Sequence, residues 1–183
     1  KESDPTGLVP TTSTSLTLLF GDCLCSALMY KFKFSKEKFK VFHPGGSIGQ
    51  TLLLVKDIMV RGSGIPLINY NSSISKGIKI ITQKDLGVGI VVKNKLAIGV
   101  VTDGDIRRGR KKFSNKNKIQ VLMSKKPKYV SESTSAAKAL SEMNKYQITN
   151  LLVSSDKDYQ KNKVLFKPKG ILNIHALLKY GIK

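Results

Sequence analysis

The feature that most constrains this chain is a repeat in its last two thirds. Val-Lys-Asp-Ile-Met (55–59) returns as Ile-Gln-Val-Leu-Met (119–123), an offset of 64. Gly-Val-Val-Thr-Asp-Gly-Asp-Ile-Arg-Arg (99–108) returns as Gly-Ile-Leu-Asn-Ile-His-Ala-Leu-Leu-Lys (170–179), an offset of 71. The difference of seven residues points to a longer polar loop in the second copy, around 155–168. Between these landmarks each copy has the same order: a polar loop, a helix (74–84; 134–145), then a β-rich run (89–92; 150–153). A short strand (96–101; 169–172) then leads straight into a further helix (103–109; 174–180). Short apolar strands alternating with helices imply a small buried sheet. Copies of about 60 residues bury too little surface to be robust alone, so the two are expected to pack face to face.

Ahead of the repeat the chain reads differently. Residues 1–10 form a loop punctuated by Pro5, Gly7 and Pro10. The hydroxyls of Thr11, Thr12, Ser13, Thr14 and Ser15 precede an apolar run. They suit a helix N-terminus with one of them as cap, and the same groups can hold a phosphate. The helix should reach about Tyr30 and, being apolar nearly all round, should be buried. A basic excursion, 31–40, carries a second short helix at 35–39, and His-Pro-Gly-Gly-Ser-Ile-Gly (43–49) makes a tight loop before the repeat.

Composition narrows the function classes. The 183 residues are 40% hydrophobic, enough for a core, and no apolar run reaches the length of a membrane span, since Gly21 and Asp22 interrupt 16–30. Cys23 and Cys25 point to different faces of a helix, which argues for buried thiols in a reducing cytosol rather than a disulfide. The net charge of +20 invites a nucleic-acid reading, but 28 of the 32 basic residues are lysines scattered through every segment. Without arginine forks or interleaved aromatics, nucleic-acid binding is disfavoured. His43 and His175 are far apart and the cysteines lack zinc spacing, so neither a metal nor a cofactor is expected.

The Asp-Ile-Met lead, the apolar hairpin and Gly-Val-Val-Thr-Asp-Gly-Asp-Ile resemble a tandem cystathionine-β-synthase (CBS) pair. Lys-Glu-x-x-Pro-x-Gly-Leu-x-Pro-Thr-x-Ser-Thr (1–14), Gly-Asp-x-Leu (21–24) and His-Pro-Gly-Gly-x-Ile-Gly (43–49) look like the end of a sugar isomerase (SIS) domain. Together they resemble the arabinose-5-phosphate isomerase family. The implied fold class is α/β: the C-terminal remnant of a doubly wound SIS domain (1–52), then two α+β CBS modules (53–115 and 116–183) packed as a pair. The rest of the catalytic domain would precede Lys1, and the chain alone would be inactive.

The resemblance implies interconversion of ribulose 5-phosphate and arabinose 5-phosphate, supplying Kdo and lipopolysaccharide synthesis in the cytoplasm, by a homo-oligomer, a tetramer when full length. Such an isomerisation runs through an enediol. It needs a group that moves a proton between neighbouring carbons, and a histidine supplies either protonation state near neutrality. Two positions match family functional residues: His43, as acid/base, and Glu2, as its acid/base or orienting partner. Thr12 and Ser13 are candidate substrate-binding residues. In the CBS pair the Thr-x-x-Asp after the last strand can meet a ribose diol. Copy one has it as Thr102 and Asp105, whereas copy two has Asn173 and Ala176. One nucleotide or nucleotide-sugar effector at copy one is therefore expected, although Asp105 is equally suited to capping its own helix. Arg107 and Arg108 either reach a phosphate or sit on a solvated face. The rival reading is a nucleotide-sensing CBS protein without isomerase activity.

Overall fold

The computed structural model describes residues 1–42, 53–110 and 112–182, so the His-Pro-Gly-Gly loop with His43 lies outside the described residues. The chain divides into two compact units, Lys1–Pro44 and Gly45–Lys183.

The first unit is a loop followed by α1 (Thr12–Lys31) and α2 (Lys36–Phe42). The helix over 12–31 follows its sequence pattern, but its expected burial does not hold: no residue of α1 is buried, and Phe20 and Leu18 are 70% and 69% exposed. A helix apolar on every side needs neighbours on every side, and one short helix and a loop cannot supply them. The glycine and aspartate at 21 and 22 do not interrupt the helix, and its 20 residues are long and apolar enough to cross a membrane by length and composition alone. That revises the expectation that no run reaches such a length. Both cysteines are free and exposed, whereas burial was expected.

The second unit holds both copies. Copy one has β1 (Leu67–Asn69), α4 (Ile74–Lys84), β2 (Val88–Lys93), β3 (Leu96–Thr102) and α5 (Asp103–Gly109), preceded by the single turn α3 (Val55–Ile58). Copy two has β4 (Ser124–Lys125), β5 (Tyr129–Ser131), α6 (Ala136–Tyr146), β6 (Asn150–Ser154), α7 (Asp156–Gln160), β7 (Gly170–Asn173) and α8 (Ile174–Lys179). The sequence pattern places the hairpin strands and all four main helices within a few residues. It omits β1 and β5, three-residue strands that pair in parallel with β2 and β6, and it has a loop where α7 forms. Three residues are too few to show a period. Capping repeats across the copies: Ser73 and Ser135 accept from the N–H groups of Lys76 and Lys138, and Asp85 and Gln147 close the helices in the left-handed region.

The copies exchange their leads. Val60 pairs with Ile171 of β7, through hydrogen bonds of 2.9 and 3.1 Å, while β4 of copy two pairs with β3 of copy one. Leu53, Val55, Ile58 and Met59 consequently sit in the core of copy two, with Val130, Leu140, Met143 and Leu172. Ile119, Leu122 and Met123 complete copy one, beside Ile68, Ile81 and Val101. A third cluster, Ile65, Ile90, Ala97, Leu152, Phe166 and Ile171, joins the two sheets. This is the expected face-to-face packing, with the added exchange of strands.

Candidate functional site

The N-terminal loop returns on the start of α1 through Glu2. One carboxylate oxygen accepts from the N–H of Thr11 at 2.8 Å, the Thr11 hydroxyl at 3.2 Å and the N–H of Ser13 at 3.2 Å. Thr11 holds the cap position but makes no capping bond with its own side chain. Glu2 therefore does the work expected of a hydroxyl. An ionised carboxylate at a helix N-terminus meets unsatisfied N–H groups and the positive end of the helix dipole. Ser13 foremost, then Thr11, lowers the Glu2 carboxyl from 4.5 to about 2. The neighbouring hydroxyls are engaged too: Ser3 Oγ lies 2.8 Å from Thr12 Oγ1, and Thr14 donates to the Pro10 carbonyl at 2.8 Å. Thr12 and Ser13 thus lie beside Glu2, which occupies the position an anion would take at this helix end.

In copy one, Thr102 and Asp105 cap α5 reciprocally. Thr102 donates to Asp105 Oδ2 from its N–H at 2.9 Å and its hydroxyl at 2.7 Å, and its hydroxyl accepts the Asp105 N–H at 3.3 Å. The other carboxylate oxygen meets the Arg108 guanidinium at 2.6 Å. Partial burial pushes the Asp105 carboxyl up, but the Thr102 donors and Arg108 outweigh it and hold it below the usual range. The Asp105 carboxylate is held ionised in one orientation at the end of β3. Arg108 is thus tied to Asp105. Copy two has an amide ladder instead: Asn173 accepts from the His175 N–H at 2.8 Å and donates to Asn150 at 2.9 Å, and Asn150 reaches the Leu86 carbonyl of copy one at 3.4 Å. That end of copy two is spent on joining the copies.

Two features escaped sequence reasoning. Asp156, at the head of α7, accepts from the Ser131 and Ser133 hydroxyls and so ties the extra segment to the end of β5. Beside it, Tyr129, Tyr146 and Tyr159 line a cleft of about 350 Å³ with Lys126 and Lys128. The only sequence signal for this cleft is the seven-residue excess of copy two. Among the described residues there is no cluster of three or more His, Cys, Asp or Glu side chains placed to hold a metal.

Known proteins agree with this geometry. The CBS domain pattern matches residues 55–112 and 119–183. Arabinose 5-phosphate isomerase KdsD of Francisella tularensis is 37% identical over 186 residues, which takes in 100% of this chain and 54% of that protein. The enzyme of the same name from Pseudomonas aeruginosa is 36% identical over 100% of this chain and 55% of its own length. The chain therefore spans about half the length of these relatives. Among solved structures, the CBS domain pair of MJ0100, in complex with 5-methylthioadenosine and S-adenosyl-L-methionine, superposes with a TM-score of 0.59 at 22% identity over 70% of this chain and 94% of that one. CBSX2 in complex with AMP gives 0.57 at 19% identity, over 70% of this chain and 96% of its own. A doubled pattern, a four-stranded and a three-stranded sheet with exchanged leads, and superposition on solved pairs together establish that this chain belongs to the CBS domain family and carries its domain as a tandem pair.

Proposed function

We propose that the chain is the C-terminal portion of an arabinose-5-phosphate isomerase, with residues 1–52 closing a sugar isomerase domain and modules 53–115 and 116–183 regulating it. The observation that carries this reading is the reach of the likeness. The solved CBS pairs cover about 70% of the chain, whereas the similarity to the isomerases runs through all of it, residues 1–52 included. The exposed α1 fits: an apolar helix with Asp22 at its middle suits the interior of a larger α/β domain, where the carboxylate finds partners, better than lipid.

In this reading His43 moves the proton between the two carbons of the enediol. Glu2, held ionised by Thr11 and Ser13, is a weak base at neutral pH, so its part is to orient and stabilise a charged partner. Thr12 and Ser13 contribute to binding the substrate. The 183 residues alone do not turn over substrate, and the complete enzyme works as a homo-oligomer in the cytoplasm. Thr102 and Asp105 accept from the ribose of one nucleotide or nucleotide-sugar effector, Arg108 giving up its hold on Asp105.

The test is turnover of ribulose 5-phosphate by the longer gene product, beside His43→Ala and Glu2→Gln. Loss of activity by orders of magnitude in both folded variants supports the reading. An inert wild type whose melting temperature rises with adenine nucleotides points to the rival, a nucleotide sensor without isomerase activity. The intact Thr102–Asp105 pair is what favours that rival.

A further inference from the structure

The loop ahead of β7, which copy two has in excess, carries an apolar tip between lysines: Lys-Asn-Lys-Val-Leu-Phe-Lys-Pro-Lys (161–169). In copy one the equivalent strands, β2 and β3, are joined by Asn94 and Lys95 alone. Phe166 and Pro168 are buried, and the Phe166 carbonyl accepts the Ala97 N–H of β3 at 2.9 Å. Val164 and Leu165, just before this anchor, are 63% and 50% exposed, and Leu96 beside Ala97 is exposed as well. Two adjoining clefts meet at Val164 and Lys126. Leu165, Ile98 and Met123 line one of them with Lys93, Lys125 and Lys126, and no carboxylate lines it; the other adds Lys128 and Glu142. Lys93 and Lys128 rest over Tyr70 and Tyr146, at 5.4 and 4.0 Å from the ring centroids, which leaves their charge uncompensated. Of the four lysines in the loop itself, Lys163 is the one with an ion pair among the described residues, to Asp158 at 2.8 Å.

We infer that this face docks on an anionic lipid bilayer, with Val164 and Leu165 entering the headgroup layer and the lysines around them meeting lipid phosphates. Aliphatic side chains gain by leaving water for the acyl boundary, and each cation nearby gains from the negative surface potential. A few aliphatic groups hold a membrane only reversibly, and a basic patch beside them supplies the second attraction. The buried Phe166 and its bond to Ala97 fix the root of the tip, so docking has little left to order. A nucleic acid would meet the same positive charge, but valine and leucine offer its bases no stacking face, and their exposure would go unused. The inference uses neither Thr102 nor Asp105 and does not depend on the isomerase reading.

The 183 residues include no tryptophan, so Leu165→Trp places a single indole at the tip. Its emission reports contact made through this face, whatever the exposed α1 does. Vesicles of phosphatidylcholine with phosphatidylglycerol should shift that emission to the blue, and vesicles of phosphatidylcholine alone should not. In the same background Lys125→Ala/Lys126→Ala should weaken vesicle binding by about tenfold, and Val164→Ser should weaken it several-fold. Lys76→Ala/Lys79→Ala, an equal loss of charge on exposed α4, should change it by less than about twofold. The proposal falls if the indole stays in water on anionic vesicles, if neutral vesicles shift it as far, or if the two lysine pairs act alike. It falls in favour of nucleic acid if polyuridylate is held through Lys125 and Lys126 while anionic vesicles are not.

Discussion

A single carboxylate can serve either a helix or a ligand, and Glu2 and Asp105 show how the two demands are arranged. Glu2 satisfies two N–H groups and a hydroxyl at the head of α1. Its folded value, about 2, is depressed from 4.5, so its support is full above the ordinary carboxylate range and is lost as pH falls through the folded value. The helix signal of the chain should therefore decline between about pH 4.5 and 2, and Glu2→Gln should remove that step; circular dichroism across this range reads it. Asp105 closes a capping box and holds Arg108. Asp105→Ala should lower stability by about 1 kcal/mol in denaturant unfolding, the usual worth of such a cap. The sequence pattern named both residues by motif. Capping of its own helix was among the readings the sequence offered for Asp105, and the capping box bears it out. That Glu2 is already engaged is not legible there, because its partners are met only when the loop folds back on the start of α1.

At the scale of elements, the exchanged leads rest on two glycines related by the repeat. A Cβ on Gly99 would stand 2.6 Å from the Ser124 carbonyl oxygen and 2.5 Å from Met123 Sδ. On Gly170 it would stand 2.8 Å from the Val60 carbonyl oxygen and 2.5 Å from Met59 Sδ. Methionine can move, but paired backbone cannot without breaking the bridge. Gly99→Ala and Gly170→Ala should each cost about 1–3 kcal/mol, as overpacking does, whereas Gly21→Ala, with nothing within 4 Å of its Cβ, should raise helix content. Thermal unfolding of the three variants checks both signs. The glycines and methionines were visible in the sequence as the repeat itself. Their contact was not, since Met59 lies 111 residues from Gly170 and no local pattern links them.

At the scale of the molecule, the lead 53–60 belongs by sequence to copy one and by packing to copy two. A chain beginning at residue 61 should therefore loosen the copy from which nothing was removed. Amide exchange should accelerate in β6, β7 and α6, while β2, β3 and α4 keep their protection. The reverse pattern would mean that each copy closes on its own lead. The sequence by itself determined the repeat, the main helices and hairpins and the motif residues, because these depend on periodicity, caps and turns within a dozen neighbours. Only the tertiary structure decided which copy each lead completes, that α1 lies uncovered in this chain, and that three tyrosines and two lysines share one cleft. Those outcomes depend on which surfaces are left to pair once the local elements exist, and that is settled between residues far apart in the chain.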